Sequence, residues 1–163
     1  MKSSNDDSGE GLSPHFLDFI QCLNDRRVDF VLIGGYALGV HGVVRATGDM
    51  DFLYRRTRAN VRRLCEAMND FGTPPELIDE AVLMTPEIVT QFGLPPHRID
   101  LLNAIDGVTA HKVWTGAIST TVQGLPMKVI GLAELRLNKK ATGRKKDEDD
   151  QRRLEAPAAR KTR

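Results

Sequence analysis

A short apolar run, Val28 to Ile33, stops at two glycines, Gly34 and Gly35, and the next strand-like run opens on two carboxylates, Asp49 and Asp51. No other feature constrains the chain as much. Val28–Ile33 has the length and β-branched content of a buried strand, and the glycines end it. Tyr36 to Val43 then reads as a short helix, and Asp49 to Tyr54 (DMDFLY) as a second strand. Alternate residues of a strand share a face, so Asp49 and Asp51 project together while Met50 and Phe52 turn to the opposite side and anchor the strand in a core. Two carboxylates held this close repel each other and raise one pKa. A divalent cation relieves that repulsion, and Mg²⁺ prefers carboxylate oxygens while keeping waters for a substrate. Glycine amides at a strand-to-helix turn are open to phosphate oxygens, because no side chain blocks the approach. Strand, Gly-Gly, helix, strand, Asp-x-Asp is therefore an order that suits a nucleotide and a metal ion.

The rest of the chain supplies a frame for that unit. Ser13-Pro14 opens a helix as N-cap and first residue, and Phe16, Leu17, Phe19, Ile20 and Leu23 give it a buried face. Thr57 caps a second helix to about Phe71, with Val61, Leu64, Cys65 and Met68 on one side. Glu76 to Leu83 reads as a short helix. Glu87–Phe92 and His97–Ala104 read as two strands turning through Gly93-Leu94-Pro95-Pro96. Val108–Gly116 is expected to be helical, Ser119–Val122 and Met127–Ile130 a hairpin turning at Gln123 to Pro126, and Leu132 to about Thr142 a helix. A last helical stretch is expected over Asp147–Leu154. No repeat is present. Helices and strands intermix without a regular βαβ rhythm, which implies an α+β fold with a mixed β-sheet flanked by helices and a short C-terminal helical segment.

Length and charge narrow the function classes. The chain has 163 residues, enough for one domain. The expected organisation is a disordered N-terminus over 1–12, a single domain over 13–155 whose part 131–155 is helical, and a disordered basic tail over 156–163. No apolar run reaches the roughly 18–20 residues of a membrane span, and the polar start does not read as a signal peptide. Cys22 and Cys65 stand in no metal or redox spacing and read as reduced, half-buried thiols of a cytoplasmic protein. The net charge of +1 conceals a division, because eleven Lys/Arg against five acids from Arg136 onward make that end +6. A basic end suits phosphates, although a solvated helix face has the same composition.

The chain resembles the nucleotidyltransferase superfamily with the DNA-polymerase-beta-like palm, and more closely the small bacterial AbiEii-type toxin-like subgroup. Gly34-Gly35-Tyr36-Ala37, His41-Gly42 and Arg45-Ala46-Thr47-Gly48-Asp49-Met50-Asp51 carry the resemblance, as does a second block from Leu137 to Asp150. The subgroup usually has Leu where Glu148 stands. The resemblance covers about residues 15–155, and it implies a palm with a third acid on a neighbouring strand.

Asp100, in Arg98-Ile99-Asp100-Leu101-Leu102, is the candidate third acid. Its plain alternative is a strand-edge charge paired with Arg98. Asp106 is a weaker choice, beside Gly107 in a turn. Asp49, Asp51 and Asp100 would hold two Mg²⁺ ions, which Mn²⁺ can replace, and carry the catalysis. Gly34, Gly35, Arg45, Thr47, Lys139 and Arg144 would contact the nucleoside triphosphate. Lys140 and His41 are lesser candidates, and Trp114 reads as packed against a helix.

The implied activity moves a nucleoside monophosphate from a triphosphate to a hydroxyl of RNA, protein or a small molecule, with a toxin–antitoxin role suggested by the subgroup. The chain lacks the long helical domain that larger members use around the acceptor, so the resemblance implies an acceptor bound across a homodimer or an acceptor that is itself a partner macromolecule, with an antitoxin as the further partner of the toxin-like subgroup. The alternative from another class is a non-catalytic triphosphate-binding or antitoxin-like module with the same fold. Three intact Asp residues argue against that decay.

Overall fold

The computed structural model describes residues 12–43, 48–143 and 152. Among the described residues six α-helices and six strands are seen, in the order α1 (Pro14–Asp25), β1 (Phe30–Ile33), α2 (Gly34–Val40), β2 (Asp49–Tyr54), α3 (Arg58–Phe71), α4 (Glu80–Leu83), β3 (Val89–Phe92), β4 (Arg98–Leu102), α5 (Ala110–Gly116), β5 (Ile118–Val122), β6 (Leu125–Val129) and α6 (Leu132–Thr142), with a 3-10 turn at Pro75–Leu77 before α4. The strands form one mixed sheet in the order β3-β4-β2-β1-β6-β5. β1 is antiparallel to β2 and parallel to β6, whereas β2 runs parallel to β4.

Local chemistry explains most element ends. Ser13 Oγ accepts the Phe16 amide in front of α1, and Thr57 and Thr109 cap α3 and α5 in the same way. α3 and α6 end on Gly72 (φ 93°) and Gly143 (φ 68°) in the left-handed region. The core lies between the sheet and the helices α1 and α3. Phe19 of α1 packs against Phe52, Phe71 and Phe92, with ring centroids 5.0–5.6 Å apart. Met50 and Phe52 are buried on that face, as alternation requires. The face that carries Asp49 and Asp51 is therefore turned away from α1 and α3.

Several boundaries differ from the sequence reading. α2 begins at the glycines themselves and ends at Val40. α5 starts at Ala110, because Ile105 and Val108 form an isolated bridge just before it. The last hairpin turns on two residues, Gln123 (φ 49°) and Gly124 (φ 86°), and not on four. Positive φ at both central residues matches the right-handed twist of the flanking strands, so the strands run up to the turn. The expected helix over 147–154 and the tail over 156–163 fall, apart from Arg152, outside the described residues, as does the expected disordered N-terminus apart from Leu12.

Two buried asparagines complete the frame. Asn60, fully buried on α3, accepts the Asp29 amide through Oδ1 (2.7 Å) and donates through Nδ2 to the carbonyls of Asp29 (3.0 Å) and Arg55 (2.8 Å). It thus ties the start of β1 to the end of β2. Asn103 donates to the Tyr54 hydroxyl (3.0 Å) and the Thr85 carbonyl (2.9 Å) and accepts the Glu87 amide (2.7 Å), fixing the segment that leads into β3. Both thiols are half-buried, and burial pushes Cys65 up to about 11. Among the described residues no helix is long and apolar enough to cross a membrane.

Candidate active site

The parallel register of β2 and β4 assembles the site. Asp51 lies opposite Asp100 and Asp49 lies opposite Arg98. Three carboxylates thus meet on one face, each offering an oxygen within 4.8 Å of the others. β1 is on the other side of β2 with Ile33 opposite Asp51, so the glycine pair begins directly beside that carboxylate. Gly34 holds φ 73°, and a Cβ there would land on Asp51 Oδ2. Only glycine fits both demands.

Arg98 lies inside this group. Its guanidinium donates to Asp49 Oδ2 (2.6 Å) and to Asp100 Oδ1 (3.0 Å). The plain pairing of Arg98 with Asp100 and the clustering of Asp100 with the other two acids are therefore both present. Gln91 of β3 adds a long contact to Asp100 Oδ2 at 3.4 Å. The repulsion falls on Asp51, whose carboxyl is pushed up to about 8. Burial is the main cause, followed by the charges of Asp49 and Asp100 and a hydrogen bond with Asp100; Lys139 opposes the shift.

Lys139 comes from α6. It is 5% exposed and lines the same cavity, not the protein surface. Loop 104–109 makes this approach feasible. Gly107 (φ 85°) packs so closely on α6 that a Cβ would strike the Leu137 carbonyl and the Ala141 methyl, and Asn138 donates to the Asp106 carbonyl at 2.9 Å. The cavity has a volume of about 610 Å³ and runs from Gly34 and Gly35 past the three acids to Glu87, Gln91 and Asp106. Asp106 is therefore at its rim and outside the triad. His41 does not line the cavity; its Nε2 bonds the Ile130 carbonyl at 2.8 Å. Lys140 is exposed. Arg55 stacks over Trp114 at 4.6 Å, on an outlying surface. Arg45, Thr47 and Arg144 lie outside the described residues.

Arg98, Glu87, Gln91, Asn138 and Thr142 were not singled out from sequence as lining residues. Arg98 had a usable signal, because it stands two before Asp100 on the same strand and so shares its face. The others depend on which edge strand and which helix close the cavity.

The donor set fits a hard divalent cation, being three carboxylates with no thiol or imidazole, one of them disfavoured as a charge by burial and by its acidic neighbours. Cation binding must expel the proton that this carboxyl holds near neutrality. Apparent affinity for Mg²⁺ or Mn²⁺ should therefore rise as pH climbs from about 6 to about 8 and level off above the carboxyl's own value near 8. Calorimetry in two buffers of different ionisation enthalpy should register proton release near neutrality. An affinity flat across that range would contradict a protonated Asp51.

Lys139 sets the same window from the other side. Its charge opposes the rise of the Asp51 carboxyl, so Lys139→Met should move the pH dependence upward. Lys139→Arg, which keeps the charge, should move it less. The same titrations decide both, and identical curves for Lys139→Met and the parent chain would exclude this role.

No protein-family model matches the chain, and no curated protein matches it. Solved structures do. The chain is similar to the antibiotic-resistance factor ANT(2'')-Ia in solution, at 12% identity and a TM-score of 0.58, over 86% of this chain and 80% of that one. It is similar to the lincosamide antibiotic adenylyltransferase LnuA bound to lincomycin, at 12% identity and a TM-score of 0.56, over 90% and 98%. It is also similar to TM1012 of Thermotoga maritima, assigned as a nucleotidyltransferase, at 11% identity and a TM-score of 0.60, over 87% and 93%. At such identities the likeness speaks for architecture alone, and the six-stranded mixed sheet with its flanking helices is the fold of the nucleotidyltransferases.

Proposed function

We propose that the protein is a metal-dependent nucleotidyltransferase that moves a nucleoside monophosphate from a triphosphate to a hydroxyl acceptor. The observation that carries the reading is the meeting of Asp49, Asp51 and Asp100 beside Gly34-Gly35 in a cavity that also holds Lys139. Its fold is shared with adenylyltransferases, which supports the same chemistry here.

In this reading Asp49, Asp51 and Asp100 hold Mg²⁺, or Mn²⁺ in its place. The bound ion would supply charge neutralisation on the phosphate oxygens and ease deprotonation of the acceptor. The chain's own residues do the positioning. The bare backbone of Gly34 and Gly35 lets a phosphate lie against the acids. The Lys139 ammonium offsets charge growing on the pyrophosphate as it leaves. Arg98 holds Asp49 and Asp100 in place through its two hydrogen bonds, and Asp100 is the residue that would accept the acceptor hydroxyl's proton. Arg45, Thr47 and Arg144 complete the nucleotide contacts. Little covalent chemistry is asked of the protein, and rate comes from placement and charge.

The acceptor is RNA, a protein or a small hydroxylated molecule. The small-molecule class has support from two neighbours that carry antibiotic names, and the AbiEii-like motifs support a toxin–antitoxin setting. Incubation of the protein with each α-labelled triphosphate, Mg²⁺ or Mn²⁺ and a total cell extract tests the reading. Label in one acceptor class with release of pyrophosphate is expected. Triphosphate binding with no pyrophosphate from any extract would instead establish the non-catalytic module.

A further inference from the structure

β5 ends the sheet at one side, and its chemistry is unusual for an edge. Ile118-Ser119-Thr120-Thr121-Val122 contains no charge and no proline, and four of its five residues are β-branched. Ile118 is 42% exposed, and Ser119 and Thr121 are also exposed. Natural edge strands are usually blunted by charge, proline, shortness or a bulge. The opposite edge shows such devices. β3 has four residues, with Glu87 just before it and Gly93-Leu94-Pro95-Pro96 just after. β5 has none of them, and among the described residues no strand pairs with its outer side.

The hairpin turn fixes which backbone groups point outward. A two-residue turn at Gln123-Gly124 makes Val122 and Leu125 a hydrogen-bonded pair, and bonded pairs then alternate along the ladder. Thr120–Met127 is therefore bonded, whereas Thr121–Pro126 and Ser119–Lys128 are not. Two facts agree with that phase. Pro126 has no N–H to give to β5, and its carbonyl accepts Asn24 Nδ2 at 2.9 Å, on the side away from β5. The N–H and C=O of Ser119 and Thr121 are thus the groups presented at the free edge.

These four groups match themselves under a twofold axis. We propose that β5 pairs with β5 of a second copy, antiparallel and centred on Thr120, so that two six-stranded sheets join into one. In that register Ser119 exchanges two N–H···O bonds with Thr121 of the partner subunit, and the symmetric pair gives two more. Hydroxyl faces hydroxyl, Ile118 faces Val122 of the partner subunit, and no like charges oppose each other. A twofold contact requires such self-complementarity; any strand edge has it in the backbone, and the uncharged β5 has it in the side chains as well. The contact is three strands away from β2, roughly 14 Å across the sheet, and no β5 residue lines the candidate active-site cavity. It stands whether or not the transfer chemistry does.

The register makes a sharp test available. Thr120 meets itself as a non-bonded pair, whose Cα atoms are about 4.5 Å apart, within disulfide range. Under mild oxidation Thr120→Cys should therefore give a covalent dimer, and Thr121→Cys and the parent chain should not. In light scattering after size exclusion, the parent should run at twice 18.1 kDa. Thr120→Lys, which opposes two ammonium groups, should raise the dimer dissociation constant at least tenfold with an unchanged circular dichroism spectrum. Ser119→Pro, which removes an outward N–H that β6 does not use, should do the same. A monomeric parent at tens of micromolar would overturn the proposal. So would a dimer that survives Thr120→Lys and is not cross-linked through Thr120→Cys.

Discussion

Asp51→Ala should abolish monophosphate transfer, by about a thousandfold or more, and leave the sheet intact. Asp51 is flanked by Asp49 and Asp100 and touches the glycine turn, so it belongs to every part of the site at once. Loss of one carboxylate removes a cation ligand and a third of the negative charge that would attract the ion. Asp49→Ala should match it. The Asp51 change should not cost stability, because burial and its acidic neighbours keep that carboxyl up near 8, whereas Asp49→Ala also gives up the 2.6 Å bond to Arg98. The metal-free Asp51→Ala protein is expected to melt at or above the parent's temperature, most clearly at alkaline pH, where the parent must ionise a third close acid. Pyrophosphate release and a thermal melt on the same sample check both halves. Near-parental turnover, or a collapsed fold, would defeat the assignment.

Asn60→Ala should have the largest effect on the fold. The side chain satisfies one amide and two carbonyls, in a position that water does not reach. Truncation leaves the buried Asp29 amide without a partner and strips one of two donors from each carbonyl, which keep the Arg55 and Thr57 amides, and it is expected to cost about 2 kcal/mol. Asn60→Asp keeps the shape and the Oδ1 acceptor but loses both donations, so it should be nearly as harmful. Urea unfolding with an unchanged m-value measures the loss. A midpoint shift below a tenth of the parent's value would mean that the loops relax around the gap.

The two strands that carry the acids were legible because alternation is a local signal. Asp-Met-Asp-Phe and Arg-Ile-Asp-Leu each place their charges on one face and their apolar residues on the other, whatever the rest of the chain does. Helix starts at Ser13 and Thr57 were legible for the same reason. The Asp51–Asp100 register was not. It joins residues 49 apart in sequence, and no local pattern states which strands will be neighbours. Lys139 was legible as a candidate triphosphate contact, but its burial was not: that follows from a distant loop, packed on the helix at Gly107. Asn60 reads as an ordinary helix surface residue, since nothing near it in sequence announces the two strand ends that it joins. Arg98 was visible as a partner for Asp100, but its second bond to Asp49 follows from the β2–β4 register.

The β2–β4 pairing also dictates when the site comes into being. Because side chains alternate, a slip of one residue between these parallel strands would send Asp100 to the core face beside Phe52. No partial or approximate version of the carboxylate cluster exists. The helix-linked strands β1 and β2 are close in the chain and can meet early, but the β2–β4 contact closes a long loop and belongs to the slow, non-local part of folding. During refolding, cation binding should therefore appear late, after most helical signal has returned. A nascent or truncated chain that stops before β4 would carry Asp49 and Asp51 without their third member, and the protein would acquire its carboxylate cluster in a single step with its topology.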